Sequence, residues 1–114
     1  MAKKHYTILE KDTLKAVLQY LKLHRVFCWR SNSGASVREY KGKRHYIRYG
    51  TLGAPDIFAL SNGKVWGIEV KGSEGEQSQH QVEFQVEFEA AGGKYVLARS
   101  IEDLPMDLWW RKRP

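Results

Sequence analysis

The sequence has one cysteine, Cys28, so no disulfide can form within the chain, and a reducing cytoplasm is the expected setting. Cys28 lies among Val26, Phe27 and Trp29, which reads as a small buried hydrophobe rather than a reactive thiol. No stretch approaches a membrane span, and the opening MAKKHYTILEKD lacks the apolar run of a secretion signal. Linkers, low-complexity tracts and domain-scale repeats are also missing. The 114 residues therefore read as a single domain, 1–114, long enough for one core and too short for two. Acidic residues are in deficit: thirteen Asp+Glu stand against nineteen Lys+Arg, a net charge of +6. The excess gathers at Lys3-Lys4, between Arg38 and Arg48, and at Arg111-Lys112-Arg113. A positive surface attracts phosphate backbones and releases their counterions, but it also simply keeps a small domain soluble. Charge alone leaves both readings open.

What is present is enough for a folded core, with 42% hydrophobic and 12% aromatic residues. From about Ile8 to His24, Leu14, Val17, Leu18, Leu21 and Leu23 recur at helical spacing, which predicts an amphipathic helix. Val26 to Arg30 reads as a strand, ended by the polar break Ser31-Asn32-Ser33-Gly34. Val37 to Gly50 reads as a hairpin turning at Lys41-Gly42-Lys43. Its basic residues Arg38, Lys41, Lys43, Arg44 and Arg48 alternate with Tyr40, Tyr46 and Tyr49. Such a ribbon suits a nucleic-acid backbone, and it equally suits a solvated edge whose charges discourage aggregation.

Two apolar runs follow, PDIFAL from Pro55 and KVWGIEVK from Lys64, separated by Ser61-Asn62-Gly63. Asn-Gly is the preferred centre of a two-residue type I′ hairpin. After Lys71 the chain turns polar through GSEGEQ, and Ser78-Gln79-His80-Gln81 has the form of a capping box. The next run, VEFQVEFE, alternates as a strand would, yet the cap, Glu89-Ala90-Ala91 and the Gly92-Gly93 stop favour a helix. Tyr95 to Ala98 reads as a last core strand, and Ile101 to Trp110 as a short irregular or helical tail. The expected order is α-β-(β hairpin)-β-β-α-β, a mixed α/β domain with helices packed on a sheet.

The Asn62-Gly63 turn has a chemical consequence. If Ser61 faces Lys64, counting back puts Asp56 opposite Glu69, with Cβ atoms about 4.5–5.5 Å apart. Two carboxylates at about 5 Å repel by roughly 3 kcal/mol at an effective dielectric of about 20. A hard divalent cation turns that repulsion into attraction. Strand alternation puts Lys71 on the face of Glu69, while Ile57, Ala59, Ile68 and Val70 point to the core. A cation on two carboxylates can polarise a phosphoryl oxygen and activate water, and a lysine beside it can position that water or stabilise developing charge. The competing reading makes Asp56 a strand-start residue and Glu69-Lys71 a surface charge pair. The bare PD…ExK pattern is weak; the strands, turn and following helix give it weight.

With these residues laid out, the chain resembles the VRR-NUC family, a branch of the PD-(D/E)XK nuclease superfamily, in its small stand-alone phage and bacterial form. The resemblance runs from Glu10 to about Leu104 through VFCWRSNSGA, GAPDI, GIEVKG, SQHQ and GGKYVLARSIEDL. It implies a restriction-endonuclease-like α/β core, a mixed central sheet flanked by helices, and Mg²⁺ as cofactor with Mn²⁺ able to substitute. It implies that Asp56, Glu69 and the backbone carbonyl of Val70 are metal ligands, that Glu10 completes the carboxylate cluster, and that Lys71 is the catalytic lysine with Gln81 beside it. Read without the resemblance, Glu10 is a helix-start carboxylate facing the macrodipole. His24 and His80 read as surface residues. The resemblance further implies a metal-dependent endodeoxyribonuclease, similar to Holliday-junction resolvases, acting as a homodimer on branched DNA and leaving 5′-phosphate and 3′-hydroxyl ends. A two-fold dimer presents two identical sites to two strands. Met106, Leu108, Trp109 and Trp110 are either dimer contacts or a cap on the chain's own core. The rival readings are a DNA-binding protein that keeps the fold without catalysis, a nuclease on simple duplex or single-stranded DNA, and an RNA-directed nuclease.

Overall fold

The apolar stripe of the first segment forms helix α1, Glu10–Leu23, with Val17 and Leu21 fully buried. In the computed structural model, residues 7–31 and 34–110 are described; within the 34–50 hairpin the described side chains are those of 39, 41–45 and 50. Glu10 and Asp12 sit in the first turn of α1 and Lys22 in the last, complementing the helix dipole. The helix ends in a Schellman-type closure: the Arg25 N–H donates to Lys22 O and the Val26 N–H to Leu21 O, with Arg25 at φ 58° where glycine is usual.

Strand β1 is Phe27–Arg30, followed by β2, Gly34–Tyr40, and β3, Lys43–Tyr49. Strands β4, Ile57–Ser61, and β5, Lys64–Val70, lead to helix α2, Gln79–Ala90, and strand β6, Lys94–Ala98. A 3₁₀ turn at Ile101–Asp103 and the short helix α3, Met106–Trp109, complete the described chain. The element order is the expected one, and the sheet is mixed. Its order is β1-β4-β5-β6, with β4 antiparallel to both β1 and β5, and β6 parallel to β5 across the α2 crossover. Strands β2 and β3 pair with each other and stay out of that sheet.

The Asn62-Gly63 turn is of the expected kind, and the arm turns where expected, by the same geometry. Asn62 and Gly63 have φ of 52° and 74°, as do Lys41 and Gly42 in the arm, so each pair makes a type I′ turn. The β4–β5 ladder consequently runs from Ser61 opposite Lys64 to Ile57 opposite Ile68. One sheet face puts Ile57, Ala59, Ile68, Val70 and Ala98 against Val17, Leu21, Leu104 and Leu108. The other carries Phe58, which meets the rings of Phe84 and Phe88 at 6.5 and 6.1 Å. Covered on both faces, β5 is buried from Trp66 to Val70.

The alternating run resolves as a helix because 3.6-residue periodicity splits it. Phe84 and Phe88 turn inward while Val82 and Val86 are exposed, at 39% and 63%. The capping box is formed: Ser78 Oγ accepts the Gln81 N–H at 3.2 Å, and Gln81 Oε1 accepts the Ser78 N–H at 2.8 Å.

At the C-terminal end, Leu108 is fully buried and Trp109 packs against the core, donating from Nε1 to Leu104 O. Of the two readings for these residues, the cap on the chain's own core describes Leu108 and Trp109; Met106 and Trp110 are exposed. His24, expected at the surface, is half-buried with the rings of Tyr20 and Trp109 at 4.5 and 4.7 Å. Cys28 is half-buried against the core, as expected of a small hydrophobe. Among the described residues no helix is long and apolar enough to cross a membrane.

Candidate active site

Strand β5 delivers Glu69 and Lys71 to the α2 face of the sheet, and the Lys71 N–H fastens the strand end to Ala98 O at 3.0 Å. Glu69 is fully buried, and neither carboxylate oxygen has a hydrogen-bond partner. Burial pushes its pKa up; the Lys71 charge pulls the other way, while Asp56 raises it further. The Tyr95 hydroxyl and the Gln77 amide stand close enough to favour the charged form, without reaching hydrogen-bonding geometry on either oxygen. A buried carboxylate left in this condition is costly, and most such groups in folded proteins find partners.

Asp56 occupies the step just beyond the β4–β5 ladder. Its carbonyl accepts the Ser31 N–H at 2.7 Å, and its Oδ2 accepts the Val70 N–H at 2.8 Å. Asp56 acts on Glu69, and both acids act on Tyr95, whose pKa is pushed well up by burial and by Glu69. The ladder ends at Ile57 opposite Ile68, one step before Asp56 and Glu69 as the Asn-Gly turn requires, and the Asp56 carboxylate holds a backbone amide.

Lys71 is 9% exposed. Its Nζ donates to Gln81 Oε1 at 3.1 Å and lies 3.7 Å from Glu10 Oε1. One oxygen of Gln81 thus serves both the helix cap and the lysine. Glu10 reaches the site because Gly72 lies directly beneath the entry to α1. A Cβ at Gly72 would stand 2.4 Å from Ile8 O and 2.9 Å from Glu10 N. Ser73 closes this junction from both sides, its N–H donating to Ile8 O and its Oγ accepting the Ile8 N–H, each at 2.9 Å.

Glu10, Asp56, Glu69, Lys71 and Gln81 all lie around the end of β5, but Glu10 meets Lys71 and, among the described residues, does not complete a three-carboxylate cluster as expected. Of the basic arm residues, Lys41, Lys43 and Arg44 are exposed, while the side chains of Arg38 and Arg48 lie outside the described residues, as do Lys3-Lys4 and Arg111-Lys112-Arg113. His80 is exposed and 3.9 Å from Glu83. Three further residues at the site were not anticipated: Tyr95, Gln77 and Arg99. Arg99 Nη1 donates to Gly72 O at 2.8 Å and Gly75 O at 2.6 Å, tying down the loop that follows Lys71. Tyr95 shares a face with Glu69 through the parallel β5–β6 register, in which Gly67 lies opposite Tyr95.

A hard divalent cation fits this donor set. Among the described residues no three His, Cys, Asp or Glu side chains converge as a ready-made cage. Mg²⁺ does not need one, since it commonly binds through one or two carboxylates and keeps several waters. Asp56 and Glu69 would supply such a pair, and the oxygens of Glu69 are the ones without a hydrogen-bond partner.

Fold and site together define a mixed α/β domain with an acidic pair and a lysine at the end of a central strand. A solved structure described as a VRR_NUC domain has this fold, with a TM-score of 0.55 and 20% identity over 82% of this chain and 86% of that one. No family model and no curated protein matches the sequence. The likeness establishes the fold, and it is the fold that the sequence resemblance implied.

Proposed function

We propose that the chain is a Mg²⁺-dependent DNA endonuclease of the VRR-NUC type that hydrolyses phosphodiester bonds at the Asp56, Glu69 and Lys71 site. The observation that carries this reading is the Glu69 carboxylate, fully buried and without a hydrogen-bond partner beside Asp56 and Lys71. A buried acid lacking protein partners is explained if its partner is a cation.

In this reading Asp56, Glu69 and the Val70 carbonyl hold the ion, with Glu10 at the edge of the site. When bound, the ion supplies Lewis acidity at a phosphoryl oxygen and a water of lowered pKa. Lys71, held by Gln81 and Glu10, orients the attacking water and balances charge that develops on the phosphorus oxygens. Asp56 keeps the end of β5 in register through Val70, so ligands and lysine hold one geometry. The exposed Lys41, Lys43 and Arg44 stand on an arm outside the sheet, suited to track a phosphate backbone with Arg38 and Arg48. The substrate in this reading is branched DNA such as a four-way junction, gripped by a homodimer, with 5′-phosphate and 3′-hydroxyl products.

The test is a cleavage panel of four-way junction, flap, nicked duplex and single strand, run with Mg²⁺ and with EDTA. Asp56→Ala and Lys71→Ala should each abolish cleavage while junction binding survives in EDTA. Full cleavage by either purified variant would falsify the site, and binding without cleavage by the wild type would leave a non-catalytic DNA-binding protein. Equal cutting of all substrates would remove the preference for branched DNA.

A further inference from the structure

Gln81 and Glu10 hold the tip of Lys71, but a flexible aliphatic stem separates that tip from the strand end. Ordering such a stem is entropically costly, so its middle needs a wall as well. The wall is Gly75. A Cβ there would stand 3.2 Å from Lys71 Cδ and 3.6 Å from Lys71 Cβ, so bare backbone lies against the stem. Gly75 is not among the glycines with positive φ, and the position therefore calls for the missing side chain rather than for backbone freedom.

The wall is itself held from outside. Gly75 ends a turn that starts at Gly72, and the closing bond from Gly75 N–H to Gly72 O is long, at 3.4 Å. Arg99 draws the two ends together: Nη1 donates to Gly72 O at 2.8 Å and to Gly75 O at 2.6 Å. Both hydrogens of one nitrogen are used, and bonds from a charged donor are stronger than the neutral bond inside the turn. Arg99 follows Ala98, whose carbonyl accepts the Lys71 N–H at 3.0 Å, and its own N–H donates to Asp103 Oδ2 at 2.8 Å. Lysine backbone, turn and guanidinium thus form one closed unit.

We propose that Arg99 is a positioning residue for Lys71: by clamping Gly72 and Gly75 it sets the Gly75 backbone against the lysine stem and so fixes where the amine points. This role rests on the reading of Lys71 as the lysine of a hydrolytic site. The two Nη1 hydrogens are committed to the turn, so Arg99 acts on the reaction through Lys71.

The experiment compares the full chain as wild type, Arg99→Met, Arg99→Lys, Gly75→Ala and Lys71→Ala. Cleavage of the DNA that the wild type cuts best gives kcat and KM separately, and calorimetry gives Mn²⁺ affinity. Labelling of Lys71 by an amine-reactive ester, read by peptide mass spectrometry, reports the lysine without reference to activity. Arg99→Met keeps a long apolar stem without the donors. It should lower kcat by on the order of 10- to 100-fold, leave KM and Mn²⁺ affinity unchanged, and label Lys71 several times faster. Arg99→Lys still offers hydrogens to both carbonyls and should restore most of kcat and of the protection from labelling. Gly75→Ala has a permitted backbone but pushes the stem aside, so it should lower kcat while melting close to the wild type; it decides alone if Arg99→Met does not fold. Wild-type kcat in both Arg99→Met and Gly75→Ala, with Lys71→Ala inactive, overturns the role of Arg99 and leaves the site standing. A loss of kcat that Arg99→Lys does not restore, with Lys71 labelled at the wild-type rate, assigns Arg99 to the fold alone and overturns it as well. Cleavage by Lys71→Ala at the wild-type rate overturns the underlying reading of the site.

Discussion

Asp56 Oδ2 accepts the Val70 N–H at 2.8 Å, which fastens the first acid of the site to the peptide between the second acid and the lysine. The same carboxylate thus has a structural and a chemical task, and substitutions separate them. Asp56→Asn keeps an oxygen able to accept from Val70, so it should melt close to wild type while losing Mg²⁺-dependent cleavage. Asp56→Ala strands a partly buried amide and should cost a further 1–3 kcal/mol or so. Equal stability of the two variants in urea titrations would show that the Val70 bond contributes nothing.

Glu69 makes the opposite prediction about stability. Its charge is buried without hydrogen bonds, so the neutral isostere should relieve a penalty. In EDTA, Glu69→Gln should melt higher than wild type, by on the order of 4 °C or more if about 1 kcal/mol is recovered. Saturating Mg²⁺ should stabilise only the wild type and narrow or reverse the gap, because a ligand that binds the folded state alone raises its stability. A destabilised Glu69→Gln in EDTA would mean that Lys71 already compensates the charge in full.

How much of this was legible in the sequence depended on whether the information was local. The Asn62-Gly63 turn set the β4–β5 register, and register brought Asp56 to Glu69; both follow from one dipeptide and strand alternation. The α2 run was harder, because Val82, Phe84, Val86 and Phe88 satisfy a strand period while Phe84 and Phe88 meet Phe58 of the sheet and the two valines are exposed. The capping box at Ser78 and Gln81 decided it. Glu10 and Gln81 came from the resemblance, and the structure supplies what spacing could not: Gly72 and Ser73 carry the start of α1 to Lys71. Tyr95, Gln77 and Arg99 stayed hidden because their proximity depends on the parallel β5–β6 pairing and the loop after Lys71, and no local pattern encodes either. Leu108 and Trp109 were ambiguous for a related reason, since a terminal apolar group reads alike whether its own core or a second copy covers it.

Gln81 Oε1 accepts from both Ser78 N and Lys71 Nζ, so the helix cap and the lysine can be tested apart. Ser78→Ala removes its side-chain half of the cap and should cost about 1 kcal/mol with cleavage retained. Gln81→Leu removes the other half and also frees Lys71. It should show a comparable stability loss together with a large fall in the cleavage rate. If the two variants cleave alike, the contact with Lys71 has no catalytic role.

Cys28 sets a pH dependence far from the site. Burial pushes its thiol pKa up, and Lys22 only partly offsets this. The folded pKa therefore exceeds the unfolded one. Its contribution to stability is complete below the unfolded thiol pKa and is lost as pH rises through the folded pKa. Wild type should weaken relative to Cys28→Ala across that alkaline window, and iodoacetamide should label the native chain more slowly than the urea-unfolded chain. Parallel stability profiles for the two proteins would show that the thiol ionises equally in both states.

Gly53 sits at φ +79°, and a Cβ there would lie 2.2 Å from the carbonyl oxygen of His80. Gly63, at φ +74°, has nothing within 4 Å of the corresponding position. Both alanine substitutions incur the left-handed backbone cost of about 1–2 kcal/mol, but only Gly53→Ala also forces two backbones apart. Those backbones are the loop leading to Asp56 and the first turn of α2, which carries Gln81, so separating them pulls the acid away from the group that holds Lys71. Gly63→Ala should lose roughly 1 kcal/mol and keep its Mn²⁺ affinity. Gly53→Ala should lose distinctly more and bind Mn²⁺ weakly even at temperatures where it remains folded. Matching urea midpoints and matching affinities for the two variants would mean that the close approach at His80 does not position the site.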